Sequence, residues 1–126
     1  MDSLQRIEKR KVVVFIYTDW CNYCKAMEQK VFKQAEINKL LQNQYYLVVL
    51  NAEDKNPICY HGQTFGYKNS KGVHELALSL MGKQKQLGFP FLALINAQDE
   101  VLYQQEGFIS VTALKKVLVY FCTNEQ

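Results

Sequence analysis

The sequence predicts one α/β domain over residues 1–126, with a central mixed sheet flanked by helices. Segments with strand and helix patterns alternate along the chain in the order β-α-β-α-β-β-α, which is typical of a sheet whose strands are connected by helices. The 126 residues, 48% of them hydrophobic, are enough for one compact core. The sequence contains no internal repeat, linker or low-complexity segment, so neither disorder nor a second domain is expected.

The first half of the chain contains two predicted strands separated by a helix. Residues 2–10 have a short helical pattern and lead into the apolar run 12–17, VVVFIY, which is expected to be a strand buried on both faces. From Asn22 the hydrophobic period changes to that of a helix, which is expected to kink near Gln34 and then continue. The run 45–52, YYLVVLNA, is the second predicted strand.

The second half begins with an insertion, residues 53–88, that contains five of the six glycines. Residues 73–80 have helical spacing between two glycines, so the insertion is expected to be a loop, a two-turn helix and a second loop. A third strand is predicted at 89–96, with a proline near its start, and 101–107 is expected to pair back with it as a hairpin. Ser110 is expected to cap a final helix. The residues of this helix expected to face the core are Val111, Leu114, Val117, Leu118 and Phe121.

The charge distribution and the lengths of the apolar runs argue against several classes of protein. The formal net charge is only +3, and the one run of three basic residues, 9–11, leads directly into a strand. A nucleic-acid interface is therefore not expected. No apolar run reaches the roughly 18 residues that a membrane-spanning helix needs, and no small-residue cleavage site follows the first apolar run. We expect a soluble monomer that does not insert into a membrane.

Cys21 and Cys24 form a Cys-x-x-Cys pair within the stretch YTDWCNYCKAM, residues 17–27. The pair lies where a strand ends and a helix begins, so Cys21 is expected at a helix N-terminus. Unpaired backbone N–H groups and the helix dipole stabilise a thiolate there, and Lys25 adds a nearby positive charge. Cys24 lies one turn further on the same face. The arrangement predicts that Cys21 is an exposed nucleophile and that Cys24 resolves the mixed disulfide.

Two other interpretations of the pair remain open on the residues alone. A zinc site needs two further ligands, and Cys59 and His61 are the only spare candidates, because the chain has no second Cys-x-x-Cys or Cys-x-x-His. Alternatively, Cys21 and Cys24 are two inert core residues. Cys59 itself is interpreted as a free thiol or a third redox partner. Cys122, on the final helix, is expected to be a buried thiol.

A wider set of residues carries a resemblance to a known family. The stretch TDWCNYCK follows the strand VVVFIY, Phe89-Pro90 opens a later strand, and Gly107 ends the hairpin. Over roughly residues 10–122, this combination resembles the thioredoxin superfamily. It is most similar to bacterial thioredoxin-like proteins of the kind found as the C-terminal domain of membrane thiol:disulfide interchange reductases.

The resemblance implies a thioredoxin-like fold, in which this chain carries an enlarged loop-helix insertion before the proline-containing strand. It also implies thiol–disulfide exchange with protein substrates, a partner redox protein that supplies or accepts the electrons, and no dissociable cofactor and no metal. A reductant is favoured over an oxidant. The resemblance favours a periplasmic or otherwise exported protein whose signal peptide has been removed, with a cytoplasmic protein as the alternative.

The resemblance further implies which residues contact the substrate. A cis peptide bond is expected before Pro90, so that the proline ring lies against the cysteine pair and the backbone of Phe89 is free to pair with an extended substrate segment. The residues expected to bind substrate are Trp20, Asn22, Tyr23, Phe89 and Pro90.

The strand before the cysteines departs from the family pattern. Phe15 stands six positions ahead of Cys21, where thioredoxins usually carry a buried acidic residue that is thought to help move the proton of the resolving cysteine. Asp19 is nearer to the pair but is expected to face solvent. Asn22-Tyr23 replaces the usual Gly-Pro between the cysteines, so the reduction potential is expected to differ from that of ordinary thioredoxin.

The insertion 53–88 is the other departure. It is interpreted either as a segment that shapes substrate access or as one that merely covers a face of the sheet. Its two histidines, His61 and His74, are expected to be surface or structural residues. The missing acid and the insertion together motivate an alternative function, a thioredoxin-fold protein-binding module with little exchange activity.

Overall fold

A mixed sheet organises the chain in the computed structural model, which describes residues 10–60, 63–68, 73–74, 88–98 and 100–123. In chain order the described elements are β1 (Lys11–Tyr17), α1 (Asn22–Ala26), a π-helical turn (Met27–Val31), α2 (Ala35–Gln44), β2 (Tyr45–Asn51), β3 (Ile58–Tyr60), β4 (Gln63–Phe65), β5 (Tyr67–Lys68), β6 (Val73–His74), β7 (Phe91–Ile95), β8 (Val101–Glu106) and α3 (Val111–Thr123). The four-stranded sheet has the order β2-β1-β7-β8, with β1 parallel to β2 and antiparallel to β7.

The central position of β1 explains its apolar sequence. Residues 12–16 are all buried, because each of the two faces of the strand packs into its own core cluster. Val13 and Phe15 belong to the cluster that contains the two cysteines of the Cys-x-x-Cys pair, and Val14 and Ile16 belong to the other. The prediction of a strand buried on both faces is confirmed. Its end delivers the following loop to the edge of the sheet where α1 begins.

The helical region after β1 is interrupted, as predicted near Gln34. Hydrogen bonding changes from α to π type at Met27, and Gln34 is the N-cap of α2 with an extended backbone, φ −64° and ψ 136°. Three hydrophobic residues spaced four apart, Tyr23, Met27 and Val31, give this region its helical pattern. Only Met27 and Val31 are buried in the core, whereas Tyr23 faces outward. Single π-helical turns occur frequently near functional sites.

The C-terminal hairpin and helix agree with their predictions. β7 pairs antiparallel with β8, although β7 starts at Phe91, two residues later than expected. The Ser110 Oγ accepts a hydrogen bond from the Ala113 N–H at 3.2 Å and so caps α3. Leu114 and Leu118 are fully buried, and the other three residues expected to face the core are half-buried.

The insertion differs from its prediction where the structure describes it. The segment before its expected helix is not simply a loop, because β3 and β4 pair antiparallel. Val73–His74 is a short strand paired with β5 rather than the start of a helix. The contacts of His74 with residues near β2, where its N–H donates to the Ala52 oxygen and its Nε2 lies 2.9 Å from the Asn56 oxygen, override the helical spacing of the sequence. Residues 75–80 of the predicted helix lie outside the described residues.

Candidate redox site

Cys21 and Cys24 are joined by a disulfide at the junction of β1 and α1. Their Cα atoms lie 5.2 Å apart, within the usual range for a disulfide. Cys21 is the N-cap of α1 with extended backbone, and its Sγ accepts a hydrogen bond from the Cys24 N–H at 3.0 Å. A backbone donor directed at this sulfur is the interaction that stabilises a thiolate once the disulfide is reduced. The predicted proximity of the two cysteines is confirmed.

The prediction of an exposed nucleophile is wrong for this disulfide form. Cys21 is only 5% exposed and Cys24 only 1%. Both belong to the core cluster that also contains Phe15 and Leu92, so the disulfide is packed against the interior rather than held out into solvent. An attacking group therefore has to come within bonding distance of a sulfur that presents very little surface.

The tryptophan before the pair is exposed but held in place. Trp20 is 64% exposed, and its Nε1–H donates to both carboxylate oxygens of Glu53, at 3.2 and 3.1 Å. Its ring packs edge-to-face against Phe89, with centroids 6.1 Å apart. Glu53 follows β2 at the start of the insertion, and its N–H is bound by the Asn51 Oδ1 at 2.9 Å. The first residue of the insertion therefore takes part in the site.

A second aromatic pair involves a residue that sequence reasoning missed. Tyr23, between the cysteines, is 67% exposed, and its ring lies 6.4 Å from the ring of Phe108, which is 43% exposed. Phe108 follows β8, and Gly107, with φ +89°, donates its N–H to the Pro90 oxygen at 2.8 Å. Gly107 was noticed in the sequence only as the end of the hairpin. We call Trp20, Tyr23, Phe89 and Phe108 the aromatic rim.

The other predicted substrate-binding residues lie in the same neighbourhood. The Phe89–Pro90 peptide bond is cis, Pro90 is buried and Phe89 is half-buried. Asn22, the first residue of α1, is exposed. The structure thus brings Trp20 and Tyr23, which flank Cys21, together with partners from the loops at the ends of β7 and β8.

Phe15 lies in the interior, at the position where an acidic residue was expected. It is fully buried and packs edge-to-face against Phe32, with ring centroids 4.9 Å apart, and beside Tyr17 at 6.3 Å. Asp19 is exposed, as predicted. Among the described residues no carboxylate is buried, so none of them replaces the missing acid beneath the disulfide.

The remaining cysteine and histidine predictions have mixed outcomes. Cys122 is a free thiol but only half-buried, because it lies near the end of α3. His74 is fully buried, and its Nε2 lies 2.9 Å from the Asn56 oxygen. Because a carbonyl oxygen can only accept, the imidazole donates this hydrogen bond and has a structural role. The side chain of Cys59 and all of His61 lie outside the described part of the chain.

The described residues contain neither a cluster of metal-binding side chains nor a helix suited to crossing a membrane. Within that part of the chain, no group of three His, Cys, Asp or Glu side chains is placed to hold a metal ion. No helix there has the length and apolar character needed to cross a membrane.

A disulfide-forming Cys-x-x-Cys pair follows β1, and a buried cis-proline precedes β7, the strand that pairs with β1. This combination defines the class of thioredoxin-fold proteins. The family model described as a thioredoxin-like domain matches residues 3–121, and the chain belongs to this family. The predicted thioredoxin-like fold, a mixed sheet flanked by helices, and the resemblance to the thioredoxin superfamily are confirmed. No curated protein matches the sequence.

Solved structures similar to this chain share its fold at low sequence identity. A thioredoxin from Thermus thermophilus has a TM-score of 0.68 and 18% identity, with 96% of this chain and 80% of that chain covered. A DsbH oxidoreductase has a TM-score of 0.62 and 19% identity, with 97% and 79% covered. The reduced C-terminal domain of DsbD from Neisseria meningitidis has a TM-score of 0.60 and 15% identity, with 94% and 87% covered. At these identities the likeness is one of fold.

Proposed function

We propose that this protein is a thiol–disulfide oxidoreductase that exchanges its Cys21–Cys24 pair with protein substrates, chiefly as a reductant. The observation that carries the proposal is the disulfide at the start of α1, with a backbone N–H directed at the Cys21 sulfur. That donor favours Cys21 as the thiolate of the reduced form and makes it the better nucleophile of the two. The family membership and the oxidoreductases of the same fold support the same chemistry.

The proposed reaction is a two-electron exchange in two steps. The Cys21 thiolate attacks one sulfur of a substrate disulfide, forms a mixed disulfide and displaces the other substrate sulfur as a thiolate, which takes up a proton. Cys24, once deprotonated, attacks the Cys21 sulfur, closes the protein disulfide and releases the second substrate thiol. The substrate has then gained two electrons and two protons. A partner redox protein returns Cys21 and Cys24 to dithiols by the reverse chemistry.

Pro90, Asn22 and three residues of the aromatic rim supply the proposed substrate contacts. Phe89 packs against the core cluster that contains both cysteines, and we assign its backbone and that of Pro90 to pairing with an extended substrate segment. Trp20 and Tyr23 provide exposed ring surface. Asn22 adds an exposed polar side chain next to the nucleophile. We assign these five residues to substrate binding and not to the electron transfer itself.

A turnover assay tests the catalytic assignment. Reduction of insulin disulfides by dithiothreitol is measured with wild type, Cys21→Ser, Cys24→Ser and the matched control Cys122→Ser. We expect Cys21→Ser to abolish catalysis, Cys24→Ser to accumulate a mixed disulfide with the substrate, and Cys122→Ser to retain the wild-type rate. Wild-type turnover in Cys21→Ser would overturn the proposal.

The reduction potential of the Cys21–Cys24 couple tests the direction. Equilibration against glutathione buffers, followed by thiol alkylation, gives the fraction of protein reduced at each poise. A potential near that of thioredoxin, about −270 mV, supports a reductant, whereas a value near about −120 mV makes the protein an oxidant.

The burial of Phe15 favours one alternative, a protein-binding module with little exchange activity. Because none of the described residues places a buried carboxylate beneath the pair, none of them gives Cys24 the family's usual route for its proton. If the protein is a module of this kind, wild type and the Cys21→Ser/Cys24→Ser double variant bind the partner equally well, and wild type shows no turnover. Loss of partner binding in the double variant contradicts the alternative.

A further inference from the structure

Within the described part of the chain, the exposed aromatic side chains are concentrated near the disulfide. The described residues contain four strongly exposed aromatic rings, those of Trp20, Tyr23, Phe108 and Tyr120, and the first three belong to the aromatic rim. Isolated exposed apolar residues are ordinary, but a cluster of rings around a reactive group marks an interaction surface. Trp20 is engaged by Glu53 and Phe89, which leaves the pair formed by Tyr23 and Phe108 as the least constrained part of the cluster.

The loop that carries Phe108 is anchored on both sides of that residue. Gly107 donates its N–H to the Pro90 oxygen at 2.8 Å, and Ile109 donates its N–H to the Met27 Sδ at 3.3 Å. Ile109 is buried, whereas the Phe108 ring between the two anchors is 43% exposed. A phenylalanine at this position is not needed to hold the loop, because the neighbouring backbone does so. The fold instead presents the ring in a fixed place beside Tyr23.

The small exposure of the nucleophile requires a close approach by the substrate. Cys21 is 5% exposed, and a mixed disulfide brings a substrate sulfur to within about 2.05 Å of its Sγ. The substrate residues next to that cysteine must then lie against the rings that surround the site. Tyr23 and Phe108 offer them a wide, uncharged surface that is already partly assembled.

We infer that Tyr23 and Phe108 select protein segments that carry a bulky apolar side chain next to the reacting cysteine. The inference rests on the proposed function and adds the substrate class. Burial of a leucine-sized side chain against these two rings stabilises the encounter and the transition state alike. We expect it to raise the reduction rate about tenfold to a hundredfold over a peptide with alanine at that position.

The experiment uses two disulfide peptides that differ at one residue. One carries leucine and the other alanine before the reacting cysteine. Each protein is first reduced with dithiothreitol, which is then removed, and the rate constant for peptide reduction is measured with the dithiol forms of wild type, Phe108→Ala, Phe108→Leu and Tyr23→Ala. Tyr120→Ala is the matched control, because Tyr120 is an equally exposed ring on α3 that packs on Phe121. Hydroxyethyl disulfide, which has no side chains, is an additional substrate for wild type.

The expected result is a preference of wild type for the leucine peptide of tenfold or more. The preference falls to about twofold or less in Phe108→Ala and Tyr23→Ala, is largely restored in Phe108→Leu, and is unchanged in Tyr120→Ala. Equal reduction of the two peptides by wild type, or a preference that survives in Phe108→Ala, overturns the inference and leaves the proposed function intact. Wild type that reduces neither the peptides nor hydroxyethyl disulfide overturns the proposed function itself.

Discussion

The disulfide separates two aromatic environments that use the same residue types for different purposes. Beneath it lies what we call the apolar floor, the core cluster that contains both cysteines together with Phe15, Phe32 and Tyr45. Above it lies the aromatic rim, where Trp20 and Tyr23 are both more than three-fifths exposed. Rings in the floor are removed from water by the fold, whereas rings in the rim remain available to a second molecule.

The difference indicates where a substitution will have its effect. A side chain in the floor has already contributed its hydrophobic free energy to folding, so its truncation lowers stability. A mostly exposed side chain in the rim, such as that of Tyr23, contributes that free energy only when a partner covers it, so its truncation changes the reaction with substrates and leaves stability nearly unchanged. The predictions below test this division, from the largest expected effect to the smallest.

Phe15→Ala is expected to produce the largest loss of stability. The Phe15 side chain is fully buried and packs against Phe32, so its removal leaves a cavity in the floor. We expect the free energy of unfolding of the oxidised protein to fall by about 3–5 kcal/mol. Denaturant unfolding monitored by circular dichroism measures the change.

Tyr23→Ala is the matched control in the rim. It removes a large aromatic side chain from the same neighbourhood of the chain, but one that is exposed, and we expect a loss of about 1 kcal/mol or less. If Tyr23→Ala destabilises the protein as much as Phe15→Ala does, the division between floor and rim is wrong.

Tyr45 is expected to make stability depend on alkaline pH. It is buried and its hydroxyl donates to the Leu118 oxygen. Burial, and to a lesser extent the negative charge of the Cys122 thiolate, raises the pKa of Tyr45 above its ordinary value. The pKa of Tyr45 in the folded state is above the value of about 10 in the unfolded state. The contribution of the neutral Tyr45 side chain to the free energy of unfolding is therefore complete below pH 10 and is lost as the pH rises above it.

The expected loss is up to about 1.4 kcal/mol for each pH unit above 10. Tyr45→Phe removes this pH dependence and lowers stability near pH 7 by about 1 kcal/mol, because the Leu118 oxygen loses its donor. Tyr23→Phe, in the rim, keeps the alkaline loss. Urea titrations of the three proteins between pH 8 and pH 11 compare them, and an alkaline loss that persists in Tyr45→Phe contradicts the assignment.

The floor could be predicted from the sequence to a large extent. An uninterrupted apolar run predicts β1, helical spacing predicts the core face of α3, and Ser110 predicts its cap, because these signals come from residues close together in the chain. The cysteine pair and Pro90 were found through the same local patterns and the family resemblance that they carry. The sequence also shows Phe15 at the position, six residues before Cys21, where the family usually has a buried acid.

The rim and the insertion were harder to predict because they depend on contacts between distant segments. Phe108 lies beside Tyr23 only because Gly107 is bound to Pro90, and no periodicity encodes that contact. Val73–His74 has the spacing of a helix but forms a strand whose His74 N–H is bound to the Ala52 oxygen, 22 positions earlier in the chain. The burial of Cys21 likewise follows from the packing of the disulfide against the floor. In each case tertiary contacts decided what local spacing could not.

Thr18 lies between the end of β1 and Trp20 of the rim, and its hydroxyl is buried without a hydrogen-bond partner among the described residues. Its side chain is 1% exposed, and its Oγ1 has no hydrogen-bond partner among the described residues. Because a buried hydroxyl without a partner is costly, Thr18→Val is expected to raise the free energy of unfolding by about 1 kcal/mol at nearly constant shape. Thr18→Ser, which keeps the hydroxyl and loses a methyl group, is expected to lower it. A destabilised Thr18→Val would mean that the hydroxyl is bound after all.

Glu53→Ala is expected to have the smallest effect on stability and a clear effect on Trp20. The contact between the Glu53 carboxylate and the indole N–H is exposed, so its loss is expected to change the free energy of unfolding by less than about 1 kcal/mol. Without it the ring is held mainly by its edge-to-face packing on Phe89. Trp20 is the only tryptophan of the chain, so time-resolved fluorescence anisotropy measures the motion of this ring alone. We expect faster ring motion in Glu53→Ala and partial restoration in Glu53→Gln, which keeps an acceptor oxygen. Unchanged anisotropy in Glu53→Ala would mean that Phe89 alone orders the tryptophan, and that the insertion does not help to shape the rim.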